Sequence, residues 1–314
     1  MITLTAGFFL DLLIGDPQNL LHPIRYIGKL IIFLEDKFKP YMVSKRIEFF
    51  LGILLWVITV FSSLLITLII LILLSKLHIA ISIFVEIILC YYILAIKDLR
   101  DETKKVLDSL LEKDLRKSRK NLSMIVGRDT KNLDEESILK AAVETVAENI
   151  SDGIIAPMLF IAVGGAPLGI AYKAANTLDS MVGYKSEKYL FLGKFSAIAD
   201  DILNFIPSRI SSLLMVLSSF LLRYNYKNSL KIYFRDRKKH LSPNAAQTES
   251  VAAGALNIRL GGPNYYHGNL VEKPYIGDNL KTIGVSDLLK TFKLMYVTAF
   301  LGLLLSLAII YILN

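Results

Sequence analysis

The sequence predicts an all-α, polytopic integral membrane protein, and three observations lead to this fold class. Of its 314 residues, 54% are hydrophobic, and the mean hydropathy is +0.49. Residues 51–74 carry no charge, and neither do residues 295–313. Patterns that alternate apolar and polar residues, as strands do, are nearly absent. Because a helix needs about 20 apolar residues to cross the hydrocarbon core of a bilayer, both uncharged stretches are predicted to be membrane spans.

Three further stretches bring the number of predicted hydrophobic segments to about four or five. Residues 79–96 are interrupted by Glu86 alone, and a short "SKLH" link predicts a helical hairpin with the span before them. Residues 154–172 and 205–222 are weaker, because both contain proline and the first also contains a Gly-Gly pair. Interrupted helices survive at membrane depth where protein buries them or where they line a polar cavity. We therefore expect broken helices there.

The charges predict how these spans are oriented. Residues 97–153 are predicted to form a helical insert, and residues 223–290 a loop. Twelve Lys and Arg residues fall within 97–140, and seven fall within 223–240 against one acid. By the positive-inside rule both regions are expected in the cytoplasm, with residues 1–314 forming a single multi-pass domain of the cell membrane whose active face is cytoplasmic.

Composition also excludes several classes of function. The formal net charge is +8, which the positive-inside bias of a membrane protein explains better than a nucleic-acid partner does. The single cysteine excludes an internal disulfide and a cysteine-cluster metal site. No Walker A loop, GxGxxG, HExxH or nucleophile elbow occurs.

The stretch "AVETVAENISDG" places three acids on one predicted helix, over about 133–152, which Gly153 would end. Glu144, Glu148 and Asp152 are four residues apart and therefore in one line. Like charges at that spacing repel, so a positive partner is expected: a metal ion, a set of Lys and Arg side chains, or a cationic ligand. Carboxylate oxygens suit Mg²⁺.

A second acidic group lies in "ADDILNFIPSR". Asp200, Asp201 and Asn204 would cluster on one side of a helix, with Arg209 beyond a proline. Two carboxylates, an amide and a guanidinium are suited to holding magnesium and phosphate.

Other candidate site residues are polar or ionisable groups beside apolar runs, or glycines whose backbone amides could approach a ligand. Ionisable groups near membrane depth are functional candidates by default. We expect Asn244 and Glu249 to precede a helix. The further candidates are Asp16, His22, Arg25, Asn149, Lys173, Asn176, Asp179, Lys185, Asn244, Glu249, Gly261 and Gly262. This collection favours phosphate-bearing substrates handled with a divalent metal.

Four long stretches resemble one known family. They are residues 10–28 ("LDLLIGDPQNLLHPIRYIG"), 123–160, 171–209 and 242–268 ("SPNAAQTESVAAGALNIRLGGPNYYHG"). They are similar to the adenosylcobinamide-phosphate synthases of cobalamin biosynthesis, also called CobD or CbiB. The resemblance implies an ATP-dependent ligase that joins a carboxylate of adenosylcobyric acid to (R)-1-amino-2-propanol O-phosphate, or to free aminopropanol.

Roles follow from this resemblance as hypotheses based on chemistry. The implied cofactors are ATP and Mg²⁺, and the implied partners are a corrinoid, an amino-alcohol phosphate, the lipid bilayer and other enzymes of the pathway. Catalytic roles are assigned to Glu144, Glu148, Asp152, Lys173, Asp179 and Lys185. Metal binding is assigned to Asp200, Asp201 and Glu148. Substrate binding is assigned to Asp16, His22, Arg25, Asn149, Asn176, Asn204, Arg209, Asn244, Glu249, Gly261 and Gly262.

Three other interpretations stay open from the residues alone. "NTLD" and "DDILN" resemble the paired aspartates that hold diphosphates through Mg²⁺ in membrane prenyl or CDP-alcohol transferases. The broken helices also permit a transporter, although no internal repeat is visible in the sequence. A non-catalytic scaffold for pathway enzymes is the remaining alternative.

Overall fold

Helices dominate the computed structural model, which describes residues 1–16, 22–183, 188–266 and 268–313. The helices are α1 (Ile2–Ile14), α2 (Pro23–Phe38), α3 (Lys45–Leu77), α4 (Ile79–Ile93), α5 (Ile96–Leu111), α6 (Leu115–Leu122), α7 (Glu135–Asn149), α8 (Ala156–Val182), α9 (Lys194–Leu203), α10 (Phe205–Leu221), α11 (Tyr226–Asp236), α12 (Ala245–Leu256) and α13 (Val285–Leu313). The strands are β1 (Leu260–Gly261), β2 (Asn264–Tyr266), β3 (Asn269–Val271) and β4 (Tyr275–Ile276). The all-α prediction is confirmed.

Four segments of the described chain are long and apolar enough to cross a membrane. They are Lys45–Leu77, Ile79–Leu111, Glu135–Val182 and Val285–Leu313. The bent pair α9 and α10 adds a fifth if it counts as one span. The polytopic prediction is therefore confirmed, and the predicted segment 205–222 qualifies only together with α9.

The interruption predicted within 154–172 is confirmed at two glycines of α8. Gly164 has non-helical torsions, and Gly165 has φ +66°, a left-handed conformation that glycine adopts without steric cost. Glu86 of α4 lies beside this break, where its Oε1 accepts a hydrogen bond from the Ala166 N–H at 3.5 Å. A backbone group freed by the kink thus has a partner.

The predicted end of the acidic helix is wrong. Helix α7 begins after Asp134, whose side chain accepts the Ser137 N–H at 2.9 Å. At its other end the chain passes through a π-helical turn, Ile150–Ile155, directly into α8. Gly153 lies inside that turn. Because a π turn holds more residues than an α turn, Asp152 is rotated out of the line that begins at Glu144.

The chain divides into two compact units built from interleaved segments. Unit 1 comprises Met1–Ala95, Pro157–Asn204 and Leu305–Asn314. Unit 2 comprises Ile96–Ala156 and Phe205–Leu304. Unit 2 holds two antiparallel strand pairs, β1 with β4 and β2 with β3, within the predicted loop 223–290. The single-domain description stays a prediction.

Helix α12 packs against α11 at a glycine in unit 2. A Cβ added at Gly254 would lie 2.5 Å from the Ser229 Cα and 2.7 Å from the Asn228 carbonyl oxygen. Two hydrogen bonds fix the approach: Ser229 Oγ donates to the Val251 carbonyl at 3.1 Å, and Asn228 Nδ2 donates to the Gly254 carbonyl at 3.0 Å.

Replacing Gly254 by alanine should therefore force the two helices apart. Overpacking of this kind costs about 1–3 kcal/mol of the free energy of unfolding. Thermal unfolding of the purified protein in detergent should show a lower Tm for Gly254→Ala. Gly284→Ala is the matched control, because a Cβ there meets nothing within 4 Å. Equal Tm values for the two variants would contradict the close approach of α11 and α12.

Candidate functional site

A pocket of about 240 Å³ lies in unit 2, and we call it the polar pocket. Its walls come from α7, from α12, from the turn before α7 and from the segment that carries the strands. The lining residues are Ile125, Val126, Gly127, Arg128, Glu144, Thr145, Glu148, Asn149, His240, Glu249, Gly261, Asn264, Tyr266 and Lys273.

A buried ion pair joins three parts of this pocket. Arg128 donates to Glu144 Oε2, and both side chains are at least 88% buried, with exposures of 12% and 5%. The second oxygen, Glu144 Oε1, accepts the Gly261 N–H at 2.7 Å. Arg128 also donates to Asn264 Oδ1 at 3.3 Å. A single carboxylate on α7 thus holds the turn at Arg128 and strand β1 in place. Arg128 is the positive partner that the line of acids was expected to have.

Three carboxylates, from two helices, face the polar pocket. Glu144 and Glu148 come from α7, and Glu249 comes from α12, where it is 5% exposed. Burial raises the pKa of the Glu249 carboxyl well above its ordinary value, and the charges of Glu144 and Glu148 raise it further. Glu249 therefore holds its proton at pH values where an exposed glutamate has lost it.

Cationic and neutral donors come from the segments around the strands. Lys273 Nζ donates to the Tyr266 hydroxyl at 2.6 Å and lies 4.6 Å from the centre of that ring. Burial lowers the pKa of His240 to about 4, and the charge of Lys273 contributes. The Ser242 N–H donates to His240 Nδ1 at 3.0 Å. The neutral ring at pH 7 therefore carries its proton on Nε2, as a donor.

A buried aspartate at the end of α11 anchors the β4 side of the pocket wall. Asp236 accepts from Arg235 at 2.7 and 2.8 Å, pairs with Lys239 at 2.7 Å, and accepts the Gly277 N–H at 2.8 Å. Gly277 follows β4, which pairs with β1 at Gly261. Burial would raise the pKa of Asp236, but the bonds from Arg235 and Lys239 outweigh it and lower the pKa to about 2.

Asp236→Asn should destabilise the protein by about 1–3 kcal/mol at pH 7, because hydrogen bonds to a charged acceptor are lost. A depressed pKa contributes stability above the ordinary value near 3.8, and this stability disappears as the pH falls through about 2. The free energies of unfolding of the wild type and of Asp236→Asn should therefore become equal as the pH falls from about 4 to about 2. Asp278→Asn, which breaks a more exposed pair with the same Arg235, should change stability by less than about 1 kcal/mol. If the free energies of unfolding of the wild type and Asp236→Asn differ by the same amount at every pH, the lowered pKa of Asp236 is contradicted.

Five of the predicted site residues line the polar pocket: Glu144, Glu148, Asn149, Glu249 and Gly261. One expectation, the position of Glu249 relative to its helix, is corrected. Glu249 lies within α12 and does not precede it, whereas Asn244 is the residue before its first turn. The Gly261 amide donates to Glu144, and the Gly262 amide donates to the Pro274 carbonyl, so both amides order the pocket wall. Substrate binding by these two glycines stays a prediction.

Four other predicted residues of unit 2 lie outside the pocket lining: Asp152, Arg209, Asn244 and Gly262. Arg209 donates to Asn244 Oδ1 at 2.9 Å and stacks on the Phe205 ring at 3.6 Å. Its guanidinium also bonds the Phe205 carbonyl at 2.7 Å. These contacts fix the start of α10 against the residue that precedes α12. Asp152 lies in the π turn after α7, which rotates it away from the line of Glu144 and Glu148.

Unit 1 contains a separate polar cluster around Asp200. Asn204 Nδ2 donates to one oxygen of Asp200 at 2.9 Å, and Asn176 Nδ2 donates to the other at 3.3 Å. The Tyr172 hydroxyl donates to Asn204 Oδ1 at 2.8 Å. Asn204 is fully buried. The predicted grouping of Asp200 with Asn204 is present, and the structure adds Tyr172 to it.

The predicted group Asp16, His22 and Arg25 also lies in unit 1. Asp16 is 3.6 Å from His22 Nε2 and 3.7 Å from Arg25. His22 caps α2, because its Nδ1 accepts the Ile24 N–H at 3.2 Å. Burial lowers the pKa of His22, so the ring is neutral near pH 7. Lys173 and Asp179 lie in α8, Asp201 follows Asp200 in α9, and Lys185 falls outside the described residues.

The described residues contain no group of three or more His, Cys, Asp and Glu side chains arranged to hold a metal ion. Mg²⁺ usually takes one or two protein carboxylates and completes its shell with water and phosphate oxygens. Each unit contains predicted ligands in that number. Unit 2 has one carboxylate, Glu148 in the polar pocket, and unit 1 has two, Asp200 and Asp201 in α9.

Comparison with known proteins decides the family. A family model described as CobD/Cbib protein matches residues 4–295. The chain belongs to the CobD/CbiB family. A Clostridium perfringens relative named cobalamin biosynthesis protein CobD is 52% identical over 98% of both chains. A CobD of Citrobacter koseri is 47% identical, and a CbiB of Salmonella arizonae is 45% identical, each over 96% of this chain and 95% of the relative. No solved structure matches.

The CobD/CbiB-like stretches of the sequence supply most of the polar pocket. Residues 123–160 contribute Arg128 and the acids of α7, and residues 242–268 contribute Glu249, Gly261 and Tyr266. Sequence reasoning missed five lining residues with chemistry of their own: Arg128, His240, Asn264, Tyr266 and Lys273. Arg128 lies in "VGRDTKN", a stretch typical of a turn. Its positive charge was the only feature that could have identified it as a partner for the acids of α7.

Proposed function

We propose that this protein is an ATP-dependent acid–amine ligase and that the polar pocket is its active site. Membership of the CobD/CbiB family places the protein in cobalamin biosynthesis. One observation carries the finer proposal: the carboxyl groups of Glu148 and Glu249 share a small pocket with Lys273 and the Arg128–Glu144 pair. Acids that can accept a proton, beside cations that can bind phosphate, are what amide formation through an activated acyl group requires.

The proposed reaction joins adenosylcobyric acid to (R)-1-amino-2-propanol O-phosphate, or to free aminopropanol. A carboxylate of the corrinoid attacks the terminal phosphorus of ATP, which gives an acyl phosphate and ADP. The amine then attacks the acyl carbon, the C–O bond to phosphate breaks, and inorganic phosphate leaves. The amine must lose a proton before or during this attack, so a base is needed beside it.

Glu249 is the best placed base of the pocket. Its raised pKa makes it a stronger proton acceptor than an ordinary carboxylate once it is ionised. Glu148 and Asn149 would orient the amine, and Lys273 with the Nε2–H of His240 would bind phosphate oxygens. Glu144 and Arg128 hold the walls at fixed positions, so the donors need little rearrangement during the reaction.

Mg²⁺ would neutralise phosphate charge. The proposed oxygen ligands are Glu148 within unit 2 and, separately, Asp200 and Asp201 within unit 1. In unit 1 we propose that Lys173 and Lys185 contact phosphates, while Asp179, Asn176 and Asn204 position bound groups. Corrinoid, ATP and other pathway enzymes are proposed partners. We place the active face in the cytoplasm, where ATP is available and where the positive-inside rule puts the basic insert.

Incubation of the lipid-reconstituted protein with adenosylcobyric acid, aminopropanol phosphate and Mg-ATP tests this function. Mass spectrometry should detect adenosylcobinamide phosphate and one ADP per amide, and omission of ATP should abolish both. Absence of product from folded protein with authentic substrates would refute the ligase. Consumption of a labelled prenyl diphosphate would favour the transferase instead.

A further inference from the structure

Another pocket lies at the start of the span α3, and we call it the basic pocket. It measures about 250 Å³ and belongs to unit 1. One wall is the first two turns of α3, and the other is the start of α9 with the segment just before it. Three cations and three phenyl rings line it: Lys45, Arg46, Phe49, Phe50, Phe191 and Lys194. Two distant parts of the chain thus contribute the same two kinds of side chain.

Close packing of α3 against the segment before α9 fixes these walls. A Cβ added at Gly52 would lie 2.1 Å from the Leu192 carbonyl oxygen, so glycine is required for this approach. One helical turn further along α3, Trp56 packs edge to face on Phe195, with ring centres 5.5 Å apart. The position of one wall relative to the other is therefore set by contacts outside the basic pocket.

The cations of the basic pocket have no acidic partner within the part of the chain that the structure describes. No ion pair forms there at Lys45, Arg46 or Lys194. Lys45 Nζ lies 5.4 Å from the centre of the Phe191 ring, a cation–π contact that leaves its charge in place. Like charges that share a pocket repel, so an anion between them would stabilise the arrangement.

The basic pocket lies where α3 enters the membrane. Phe49 is the first residue of the uncharged part of α3, which continues to Ser75. Arg46 precedes Phe49 by only about 4.5 Å along the helix axis. Lys and Arg side chains at such a position place their charges at the level of the lipid headgroups. Six Lys and Arg residues fall within 25–46 and one within 75–78, so the positive-inside rule puts this end of α3 on the cytoplasmic side.

An apolar stripe on α3 continues from the basic pocket into the membrane. Phe50, Leu54, Val57 and Phe61 recur at spacings of three and four residues, which places them on one face of the helix. All four side chains are exposed. Exposed apolar side chains along a membrane span contact the acyl chains of lipids. A ligand that fits both the basic pocket and this stripe has an anionic head and a long apolar tail.

We propose that the basic pocket binds an anionic phospholipid. Lys45, Arg46 and Lys194 hold the phosphodiester by charge-assisted hydrogen bonds, and an acyl chain lies along the stripe that begins at Phe50. A zwitterionic phospholipid fits less well, because its own ammonium group would face the three cations. A soluble phosphate would match the cations and leave the stripe unused. The site is independent of the ligase reaction, since its lining shares no residue with that of the polar pocket.

Native mass spectrometry of the full-length protein in detergent tests this preference. The probes are phosphatidylglycerol, phosphatidylcholine with the same acyl chains, and glycerol phosphate, which has the anionic head without the tails. Phosphatidylglycerol should bind at least about tenfold more tightly than phosphatidylcholine, and glycerol phosphate should not bind at the same concentrations. Phosphatidylglycerol should also raise the Tm more than phosphatidylcholine does, because a ligand of the folded state stabilises it.

Variants of the basic pocket locate the site. Lys45→Met and Lys194→Met should each lower the ratio of the two lipid affinities about fivefold, and the double variant should bring the ratio close to one. Lys45→Arg combined with Lys194→Arg should retain the preference. Lys39→Met is the matched control, because Lys39 is exposed and lies between α2 and α3 outside the basic pocket, so this variant should bind like the wild type. The Tm in phosphatidylcholine shows that each variant is folded.

Three outcomes would overturn the proposal. Equal affinity for the two lipids would show that the cations select no anionic headgroup. An unchanged preference in folded Lys45→Met and Lys194→Met, or an equal loss in Lys39→Met, would show that the attraction does not arise in the basic pocket. Binding of glycerol phosphate as tight as that of phosphatidylglycerol would assign the basic pocket to a soluble anion instead.

Discussion

Arg128→Met should lower the free energy of unfolding by about 3–5 kcal/mol, the cost of removing one partner from a buried ion pair. The Glu144 carboxylate, 5% exposed, would then keep the Gly261 N–H as a partner but lose its counter-charge. It would also lie uncompensated beside Glu148 and Glu249. Chemical denaturation in detergent measures the loss, and amide formation should fall with it because the pocket wall is no longer held.

A double variant isolates the buried charge as the cause. Arg128→Met combined with Glu144→Gln removes both charges, so much of the lost stability should return while activity stays low. Arg116→Met, at an exposed position of α6, is the control for loss of an arginine and should change stability by less than about 0.5 kcal/mol. If the double variant is as unstable as Arg128→Met alone, the uncompensated Glu144 carboxylate is not the cause of the lost stability.

Glu249→Gln should lower the rate of amide formation by about 10²- to 10⁴-fold, the usual contribution of a general base. Glutamine keeps the size of the side chain but cannot take the proton of the amine. Because the pKa of Glu249 is raised, the wild-type rate should climb with pH over the range in which this carboxyl ionises, and that rise should be missing in the variant. Initial rates at saturating substrate across the pH range measure both effects.

Stability gives an independent check on Glu249. The folded protein holds the Glu249 proton at pH values where the unfolded chain has lost it, so wild-type stability should fall as the pH rises from the ordinary glutamate pKa towards the raised one. Glu249→Gln should lack this fall. Glu272→Gln, an exposed neighbour of the strands, should behave as the wild type in both assays. A full rate in Glu249→Gln would remove the base from the proposal.

The membrane helices were predictable because their signal is local. Residues 51–74 and 295–313 reveal themselves by length and lack of charge, and they lie within α3 and α13. The glycine pair in 154–172 also marked its own break. The π turn after Asn149 was not predictable, because an α-helical pattern of acids continues through it and no residue marks the change.

Only part of the polar pocket could be predicted, because only some of its residues are marked by a local pattern in the sequence. Glu144 and Glu148 stood out through their spacing, which is a local property. Their partners depend on contacts between distant parts of the chain: Gly261 is 117 residues from Glu144, and Arg128 reaches it across a turn. Nothing in the sequence aligns His240 or Lys273 with α7, since that alignment arises from the packing of α12 and the short strand pairs.

Photoaffinity labelling tests most directly whether the amine reacts in the polar pocket. An amino-alcohol phosphate that carries a small diazirine would be irradiated with the reconstituted protein, and the labelled peptides would be mapped by mass spectrometry. We predict label on α7 near Glu148, on α12 near Glu249 and on the segment 261–273, with competition by unlabelled aminopropanol phosphate. Competable label confined to α8 and α9, around Lys173 and Asp200, would contradict the assignment.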